Sequence, residues 1–181
     1  MWHNDPVPAA IVLLALLGLW LAAGLHKLRR HREFSASLAA YALLPQALLV
    51  PASWALPCLE LALVAGLALA PWRTAAACAS AFMLLVYAAA IGVNLHRGRR
   101  QLDCGCLGFG RGQRISGALL WRNAVLALGS LWIGLVPVHA RRLDWLDLWT
   151  IACGLAALVV LYLAFEALAE SAQRLPRRGV R

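Results

Sequence analysis

Long runs of apolar residues alternate with short polar segments along almost the whole chain. Five runs, at about 8–25, 48–70, 74–95, 117–137 and 146–169, each approach the ~20 residues that an α-helix needs to cross the hydrocarbon core of a bilayer. A helix satisfies its own backbone hydrogen bonds, which lipid cannot do. The pattern therefore predicts an all-α integral membrane bundle of four to five transmembrane helices, depending on whether the last run spans.

The polar segments are too short to form a separate soluble domain. We predict a single multi-pass membrane domain over residues 1–172 and a basic C-terminal tail over residues 173–181. Between the first two runs, Phe34, Leu38 and Tyr41 recur at helical spacing, which predicts a short amphipathic helix along the membrane surface. Basic residues follow the first run and no lysine or arginine precedes it, so we expect a retained helix and not a cleaved signal.

Prolines and small residues distinguish the second and third runs. Pro51 and Pro57 each remove a backbone donor, so we expect a kink near Pro57 and a regular helix that starts between Leu48 and Trp54. The third run is rich in alanine, and small side chains let membrane helices approach closely. We therefore expect the third helix to pack tightly against its neighbours.

The composition agrees with a membrane protein. Hydrophobic residues make up 62% of the 181 positions and charged residues 14%, whereas soluble domains are about half apolar and about a quarter charged. The net charge of +9 would suit nucleic acid, but almost all of the seventeen basic side chains lie in the short segments between the apolar runs. That distribution is typical of contact with lipid headgroups, so we expect the lipid bilayer as a partner and no nucleic acid.

The basic residues also predict an orientation. With five spans, one side of the membrane holds thirteen of them and the other side three. The first group is Lys27, Arg29, Arg30, Arg32, Arg97, Arg99, Arg100, Arg111, Arg114, Arg174, Arg177, Arg178 and Arg181, and the second is Arg73, Arg141 and Arg142. Because basic loops favour the cytoplasm, we expect the first side, which includes segment 96–116, to be cytoplasmic.

Segment 96–116 carries the main candidate for chemistry. It reads HRGRRQLDCGCLGFGRGQRIS and places Gly105 between Cys104 and Cys106, where glycine permits the tight turn that a disulfide requires. A bridge over so short a loop is strained, and strained disulfides have more oxidising potentials. The neighbouring arginines favour the thiolate, while Asp103 opposes it. We predict that Cys104 and Cys106 form a redox-active pair.

Two other interpretations of this pair stay open. Two thiolates can hold Cu(I) or form half of a zinc site, but a closed zinc site needs two more ligands and His96 is the one histidine in the segment. Alternatively, the two cysteines only hold the loop of a non-enzymatic scaffold or export partner. The remaining cysteines, Cys58, Cys78 and Cys153, lie in apolar runs, where we expect them to pack as small apolar residues.

Glu60 is the second candidate for function. It lies near the middle of the second run, where an ionisable side chain is costly and by default indicates function. Glu60 either forms a hydrogen bond across helices, to Asn94, Arg122 or Asn123, or serves as a proton relay or as the polar partner of a quinone headgroup. Lys27, at the end of the first run, is either an interfacial anchor or the ion-pair partner of Glu60.

These residues resemble the MauE family of methylamine-utilisation proteins and its DoxX-like relatives. The resemblance covers about residues 10–135. It is carried by Gly24-Leu25-His26-Lys27, Phe34, Tyr41, Pro45, Leu56-Pro57, Glu60-Leu61, Gly66, Asn94-Leu95, Arg97-Gly98-Arg99, Asp103-Cys104-Gly105-Cys106 and Arg122-Asn123. The Asp-Cys-Gly-Cys stretch is the most specific part, and the family often has phenylalanine where this chain has Leu107.

The resemblance implies a multi-pass protein of the bacterial inner membrane, usually with four spans, that is required for maturation of the methylamine dehydrogenase β (small) subunit. That client is periplasmic and carries many disulfides and a tryptophan-derived quinone cofactor; another secreted, disulfide-rich client is the alternative. The implied role is support of its processing, export or disulfide formation, which suits thiol–disulfide exchange at Cys104 and Cys106. A cytoplasmic loop conflicts with a periplasmic client, unless the arginines serve the site or the pair passes electrons across the membrane from a cytoplasmic thiol.

Overall fold

A computed structural model describes residues 5–99, 101, 115–136 and 141–174. Within these ranges the chain forms six α-helices and one 3-10 turn at Ala70–Trp72, without strands. The helices are α1 (Pro6–Arg29), α2 (His31–Ala40), α3 (Gln46–Ala68), α4 (Arg73–His96), α5 (Gly117–Leu135) and α6 (Trp145–Arg174). All except α2 are long and apolar enough to cross a membrane. The prediction of an all-α membrane bundle is confirmed, with five candidate spans where the resemblance implied four.

Two helices begin earlier than the apolar pattern predicted. The helix α1 starts at Pro6 because the Asp5 carboxylate caps it, accepting a hydrogen bond of 2.9 Å from the backbone N–H of Val7. The helix α3 starts at Gln46 and continues as one helix through Pro51 and Pro57, so the predicted start between residues 48 and 54 is wrong. Each proline removes one backbone hydrogen bond, and the bonds on either side keep the helix intact.

The predicted short helix between the first two spans is present as α2. None of its residues is buried, and it packs against the first part of α3. The ring of His31 stacks on Trp54 with centroids 4.0 Å apart, and His31 Nε2 lies 3.5 Å from Ser53 Oγ. The turn into α3 contains Ala42 at φ 50°, which is a left-handed conformation that side chains rarely adopt. The location of α2 at the membrane surface stays a prediction.

The helices α1, α3, α4 and α5 surround one apolar core. Its fully or almost fully buried members include Leu16, Trp20, Leu67, Ala77, Ala81, Leu84 and Ala127. The helices α4 and α5 approach closely where a Cβ atom on Gly134 would lie 3.0 Å from Cβ of Ala77, and Ser130 Oγ donates a hydrogen bond of 2.9 Å to the Ala77 carbonyl. The small residues of the third span therefore act as expected, by letting helix backbones come together.

The helix α6 lies at the edge of the bundle and packs on α1. A Cβ atom on Gly154 would lie 2.7 Å from Cδ1 of Ile11, which shows how closely the two helices approach. At one end, the Arg141 guanidinium donates hydrogen bonds of 2.5 and 2.9 Å to Asp147 and of 3.3 Å to Asp5, which links the starts of α6 and α1. Both carboxylates raise the pKa of Arg141, and the hydrogen bond to Asp147 has the largest effect. Most apolar side chains of α6 remain exposed, as expected for a surface that faces lipid.

Candidate functional site

The interior of the bundle contains a buried ion pair between α1 and α3. The Lys27 ammonium contacts Glu60 Oε1, and the side chains are 1% and 0% exposed. Two charges in a low-dielectric interior are tolerated only when they neutralise each other, because removing either one from water is costly. The structure therefore confirms that Lys27 is the ion-pair partner of Glu60 and not an interfacial anchor.

Tyr87 of α4 joins the ion pair. Its hydroxyl donates a hydrogen bond of 2.7 Å to Glu60 Oε1 and lies 3.4 Å from the Lys27 ammonium. The ammonium also lies 4.9 Å from the Tyr87 ring centroid and 5.4 Å from that of Phe34, so that two aromatic faces stabilise the cation. We call Lys27, Phe34, Glu60 and Tyr87 the buried polar cluster. It joins α1, α2, α3 and α4 at one point.

One oxygen of the cluster lacks a partner. Among the described residues, Glu60 Oε2 is buried and accepts no hydrogen bond, although Oε1 accepts from both Lys27 and Tyr87. A buried polar atom without a partner costs free energy, and such atoms are uncommon in folded proteins. The carboxylate therefore has room for one more hydrogen-bond donor.

Local sequence explains why the two charges meet. A Cβ atom on Gly24 would lie 3.0 Å from Leu61 Cγ and 3.4 Å from the Pro57 carbonyl oxygen, so glycine lets α1 approach α3 closely at this point. Lys27 follows Gly24 by one helical turn and Glu60 follows Pro57 by one turn, which places each charge on the contacting face of its helix. The close helix contact thus brings the ammonium and the carboxylate together.

A second polar contact lies beside the cluster. The indole Nε1 of Trp20 donates a hydrogen bond of 2.8 Å to Ser80 Oγ, and both side chains are almost completely buried. The Trp20 ring packs near that of Tyr87, with centroids 6.3 Å apart. Trp20 thereby limits the positions open to the phenol that contacts Glu60.

Replacement of Trp20 with phenylalanine should lower the free energy of unfolding by about 1–3 kcal/mol, because Ser80 Oγ would be left buried without its donor. Chemical denaturation of the detergent-solubilised chain, followed by circular dichroism, measures this. Trp149, which is 65% exposed, provides the matched control, and Trp149→Phe should be close to neutral. Equal losses in the two variants would contradict the role of the Trp20–Ser80 bond.

The structure corrects the partners expected for Glu60. Among the described residues its side chain contacts Lys27 and Tyr87, so the expected bond to Asn94, Arg122 or Asn123 is wrong. Asn94 Nδ2 instead donates to the Ala90 carbonyl of its own helix at 3.1 Å. The Arg122 guanidinium donates to the Tyr162 hydroxyl at 3.1 Å and so links α5 to α6. Helical spacing in the sequence could not show whether Lys27 or Arg122 is the partner of Glu60, because both lie near the ends of apolar runs.

Tyr87 was not singled out from the sequence. The available signal was a phenolic hydroxyl in the middle of the third apolar run, where each polar atom needs a partner. That signal predicts a hydrogen bond but not which helix provides the acceptor.

The predicted cysteine pair, Cys104 and Cys106, lies outside the described residues. Of the cysteines expected to pack in the spans, Cys58 and Cys153 are exposed on the outside of the bundle and Cys78 is partly buried, so that expectation is wrong for the first two. All three are free thiols. The described part of the chain also contains no group of three histidine, cysteine, aspartate or glutamate side chains that could hold a metal ion.

Fold and cluster together define a multi-pass α-helical membrane protein with a charged pair buried among its spans. The family described as methylamine utilisation protein MauE has a model that matches residues 6–136. This chain belongs to that family.

Curated relatives support the assignment. The chain is 42% identical to methylamine utilization protein MauE of Paracoccus denitrificans over 115 residues, which is 64% of this chain and 61% of the relative. It is 33% identical to the protein of the same name from Methylophilus methylotrophus over 164 residues, 90% of this chain and 86% of the relative. For Methylorubrum extorquens the identity is 35% over 159 residues, 86% of this chain and 85% of the relative. The alignment thus spans less than two thirds of the Paracoccus denitrificans protein. No solved structure matches this chain.

Proposed function

We propose that this chain serves methylamine utilisation in the bacterial inner membrane, as a maturation factor for the methylamine dehydrogenase β subunit. Its chemistry is thiol–disulfide exchange at Cys104 and Cys106. The observation that carries the proposal is the Asp103-Cys104-Gly105-Cys106 sequence, which falls within the range that the MauE family covers.

The remaining cysteines favour this pair as the reactive one. Cys58, Cys78 and Cys153 lie on three different helices as free thiols, and no two of them are neighbours in sequence. Cys104 and Cys106 are separated by one residue, in a segment between the end of α4 at His96 and the start of α5 at Gly117. Spacing alone therefore makes them the pair that can form a disulfide without bringing helices together.

Exchange at such a pair conserves atoms and electrons. A client thiolate attacks one sulfur of the Cys104–Cys106 disulfide, and the other cysteine leaves as a thiolate. A second client thiolate then attacks the mixed disulfide, which forms the client disulfide and leaves both cysteines reduced. Two electrons have moved from the client to the pair, so the pair needs an electron acceptor before it can act again.

The bundle provides a stable frame for this chemistry. The buried polar cluster fixes α1, α2, α3 and α4 to one another, and the segment with the cysteine pair begins at the end of α4. Glu60 lies in α3, whereas the cysteine pair lies between α4 and α5. We therefore assign Glu60 a role inside the membrane that is distinct from the thiol exchange.

Cys104→Ser should abolish maturation of the β subunit, because Cys106 alone cannot form the Cys104–Cys106 disulfide that the client thiolate must attack. Periplasmic β subunit, measured by immunoblot and by methylamine dehydrogenase activity in cells, gives the readout. Cys153→Ser, which changes an exposed thiol of α6, should leave both unchanged. Acid quenching and alkylation should trap Cys104 and Cys106 in reduced and oxidised forms in the unmodified protein.

Retention of maturation by the Cys104→Ser/Cys106→Ser variant would refute the redox role and favour a non-enzymatic scaffold. Labelling of the pair with a membrane-impermeant thiol reagent in intact cells determines which compartment it faces. The thirteen basic residues on that side predict protection from the reagent. Protection would mean that the pair exchanges with a cytoplasmic thiol and passes electrons across the membrane, and that a periplasmic client does not attack it directly. Labelling would instead mean that the arginines near the pair belong to the functional site and do not determine the orientation of the protein in the membrane.

A further inference from the structure

Tyr41, the residue that follows the last turn of α2, packs where the cysteine-bearing segment meets the bundle. Segment 97–116 joins α4 to α5 and contains both cysteines of the pair. Ile91 of α4 forms a buried apolar cluster with Ile115 and Leu119, which lie at the start of α5. Tyr41 packs against this cluster. A side chain from α2 therefore contacts the apolar cluster that joins the two ends of the segment.

The first end of the segment has a fixed direction. The backbone N–H of Arg99 donates a hydrogen bond of 3.0 Å to the Asn94 carbonyl, and that of Gly98 donates one of 3.0 Å to the Leu95 carbonyl. Gly98 has a φ of 73°, which completes the Schellman motif that ends many helices. Asn94 itself is fully buried. The chain therefore leaves α4 along a path that the helix end determines.

Ala42, next to Tyr41, combines backbone strain with a contact to the same end of the segment. Among the residues that the structure describes, it is the one non-glycine residue with a positive φ, at 50°. A side chain in this conformation costs free energy, and such strain persists where the surrounding contacts hold it. The Arg97 guanidinium donates a hydrogen bond of 3.4 Å to the Ala42 carbonyl. The strained turn after α2 is thus tied to the residue at which the segment begins.

The other end of α2 is held by the buried polar cluster. The Phe34 ring centroid lies 5.4 Å from the Lys27 ammonium, and the His31 ring stacks on Trp54 of α3. Tyr41 follows Phe34 by seven residues, or about two helical turns, so the two aromatic side chains lie on the same face of α2. The helix α2 therefore connects the ion pair inside the bundle to the two ends of the segment.

We propose that Tyr41 is a positioning residue for the Cys104–Cys106 pair, because it holds both ends of segment 97–116 against α2. The inference rests on the proposed function, since it concerns the pair that carries out the thiol exchange. A segment with held ends reaches fewer conformations, so it loses less conformational entropy when the disulfide closes. Loss of the Tyr41 ring should therefore shift the pair from the disulfide toward the two thiols.

Hydrogen exchange of the purified full-length chain in nanodiscs, followed by mass spectrometry, tests whether Tyr41 holds the segment. In Tyr41→Ala, the backbone amides of Arg97–Arg99 and Leu119 should exchange roughly tenfold faster, because the contacts that keep these hydrogen bonds closed are lost. Tyr41→Phe keeps the ring and should restore most of the protection. Leu43→Ala, at an exposed position of the same turn, is the matched control and should exchange like the parent chain. Equal exchange in Tyr41→Ala and Leu43→Ala would overturn the proposal.

Equilibration with glutathione buffers, acid quenching and alkylation tests the effect on the pair. Two glutathione thiols reduce the Cys104–Cys106 disulfide to two thiols and leave as one glutathione disulfide. We expect Tyr41→Ala to shift this equilibrium several-fold toward the thiols, while Tyr41→Phe and Leu43→Ala keep the parent value. A role of Tyr41 in overall stability alone would not change the equilibrium of the folded chain.

A second pair of variants covers a failure of Tyr41→Ala to fold. Arg97→Gln removes the bond to the Ala42 carbonyl and should shift the equilibrium in the same direction. Arg99→Gln removes the same charge from an exposed position closer to the cysteines and should have a smaller effect.

The two proposals fail in different ways. A parent pair that forms its disulfide with the same equilibrium in Tyr41→Ala, or in Arg97→Gln and Arg99→Gln alike, would overturn the positioning role and leave the thiol exchange standing. A parent pair that forms no disulfide at any ratio of glutathione to its disulfide would overturn both.

Discussion

Replacement of Glu60 with leucine should lower the free energy of unfolding by about 3–5 kcal/mol, which is the cost of breaking a buried ion pair from one side. The Lys27 ammonium would remain buried with no counter-ion, and the Tyr87 hydroxyl would lose its acceptor. Unfolding in mixed micelles, followed by circular dichroism, provides the measurement. Much reduced amounts of the protein in the membrane should accompany the loss.

A matched surface pair and a double variant complete this experiment. Glu33 pairs with Arg30 at 3.3 Å, but the two side chains are 69% and 61% exposed, so Glu33→Leu should cost less than about 1 kcal/mol. The double variant Lys27→Met/Glu60→Leu removes both charges and should recover most of the stability, because apolar side chains of similar volume replace a buried ion pair well. A double variant as unstable as Glu60→Leu alone would show that the pair is not the cause.

Gly66→Ala should destabilise the bundle although alanine favours helices more than glycine does. The added Cβ would lie 2.8 Å from Cβ of Ala76, which is fixed to the α4 backbone, so α3 and α4 would have to move apart. Such overpacking costs about 1–3 kcal/mol, against a gain in helix propensity of about 1 kcal/mol. We therefore expect a net loss of up to about 2 kcal/mol, measured by thermal unfolding in detergent.

Gly18 is the matched control for Gly66. It also lies within a spanning helix, but a Cβ atom there would meet no atom within 4 Å, so Gly18→Ala should be neutral or stabilising by up to about 1 kcal/mol. Gly154→Ala should fall between the two, because its nearest neighbour is the flexible end of the Ile11 side chain. A loss at Gly18 as large as that at Gly66 would show that helix contact is not the reason.

The helices could largely be predicted from the sequence because each span must satisfy its own backbone in lipid. A run of about twenty apolar residues leaves few alternatives, and the predicted runs at 74–95 and 117–137 agree with α4 and α5 to within two residues. The first residue of each helix was harder to predict from the sequence. The early start of α3 depends on Pro45, whose extended backbone ends the turn after α2, and hydrophobicity does not detect such a boundary.

The candidate site was predicted only in part. Glu60 was identified because an ionisable side chain in the middle of an apolar run is costly, and this argument needs no knowledge of neighbours. Of its partners, Lys27 was named as one of several candidates and Tyr87 was not named. Lys27 is 33 residues and Tyr87 is 27 residues from Glu60 along the chain, and periodicity within one helix does not indicate which other helix faces it.

The sequence by itself determined that this protein is a bundle of membrane-spanning helices, that Glu60 lies inside one of them, and that Cys104 and Cys106 form the one closely spaced cysteine pair. Only the tertiary structure decided that Lys27, Glu60 and Tyr87 form one cluster. The physical reason is that the position of a residue within a membrane span follows from its own helix, whereas its burial and the pairing of helix faces depend on close contacts such as those of Gly24 and Gly66. These contacts become visible only when the helices are packed together.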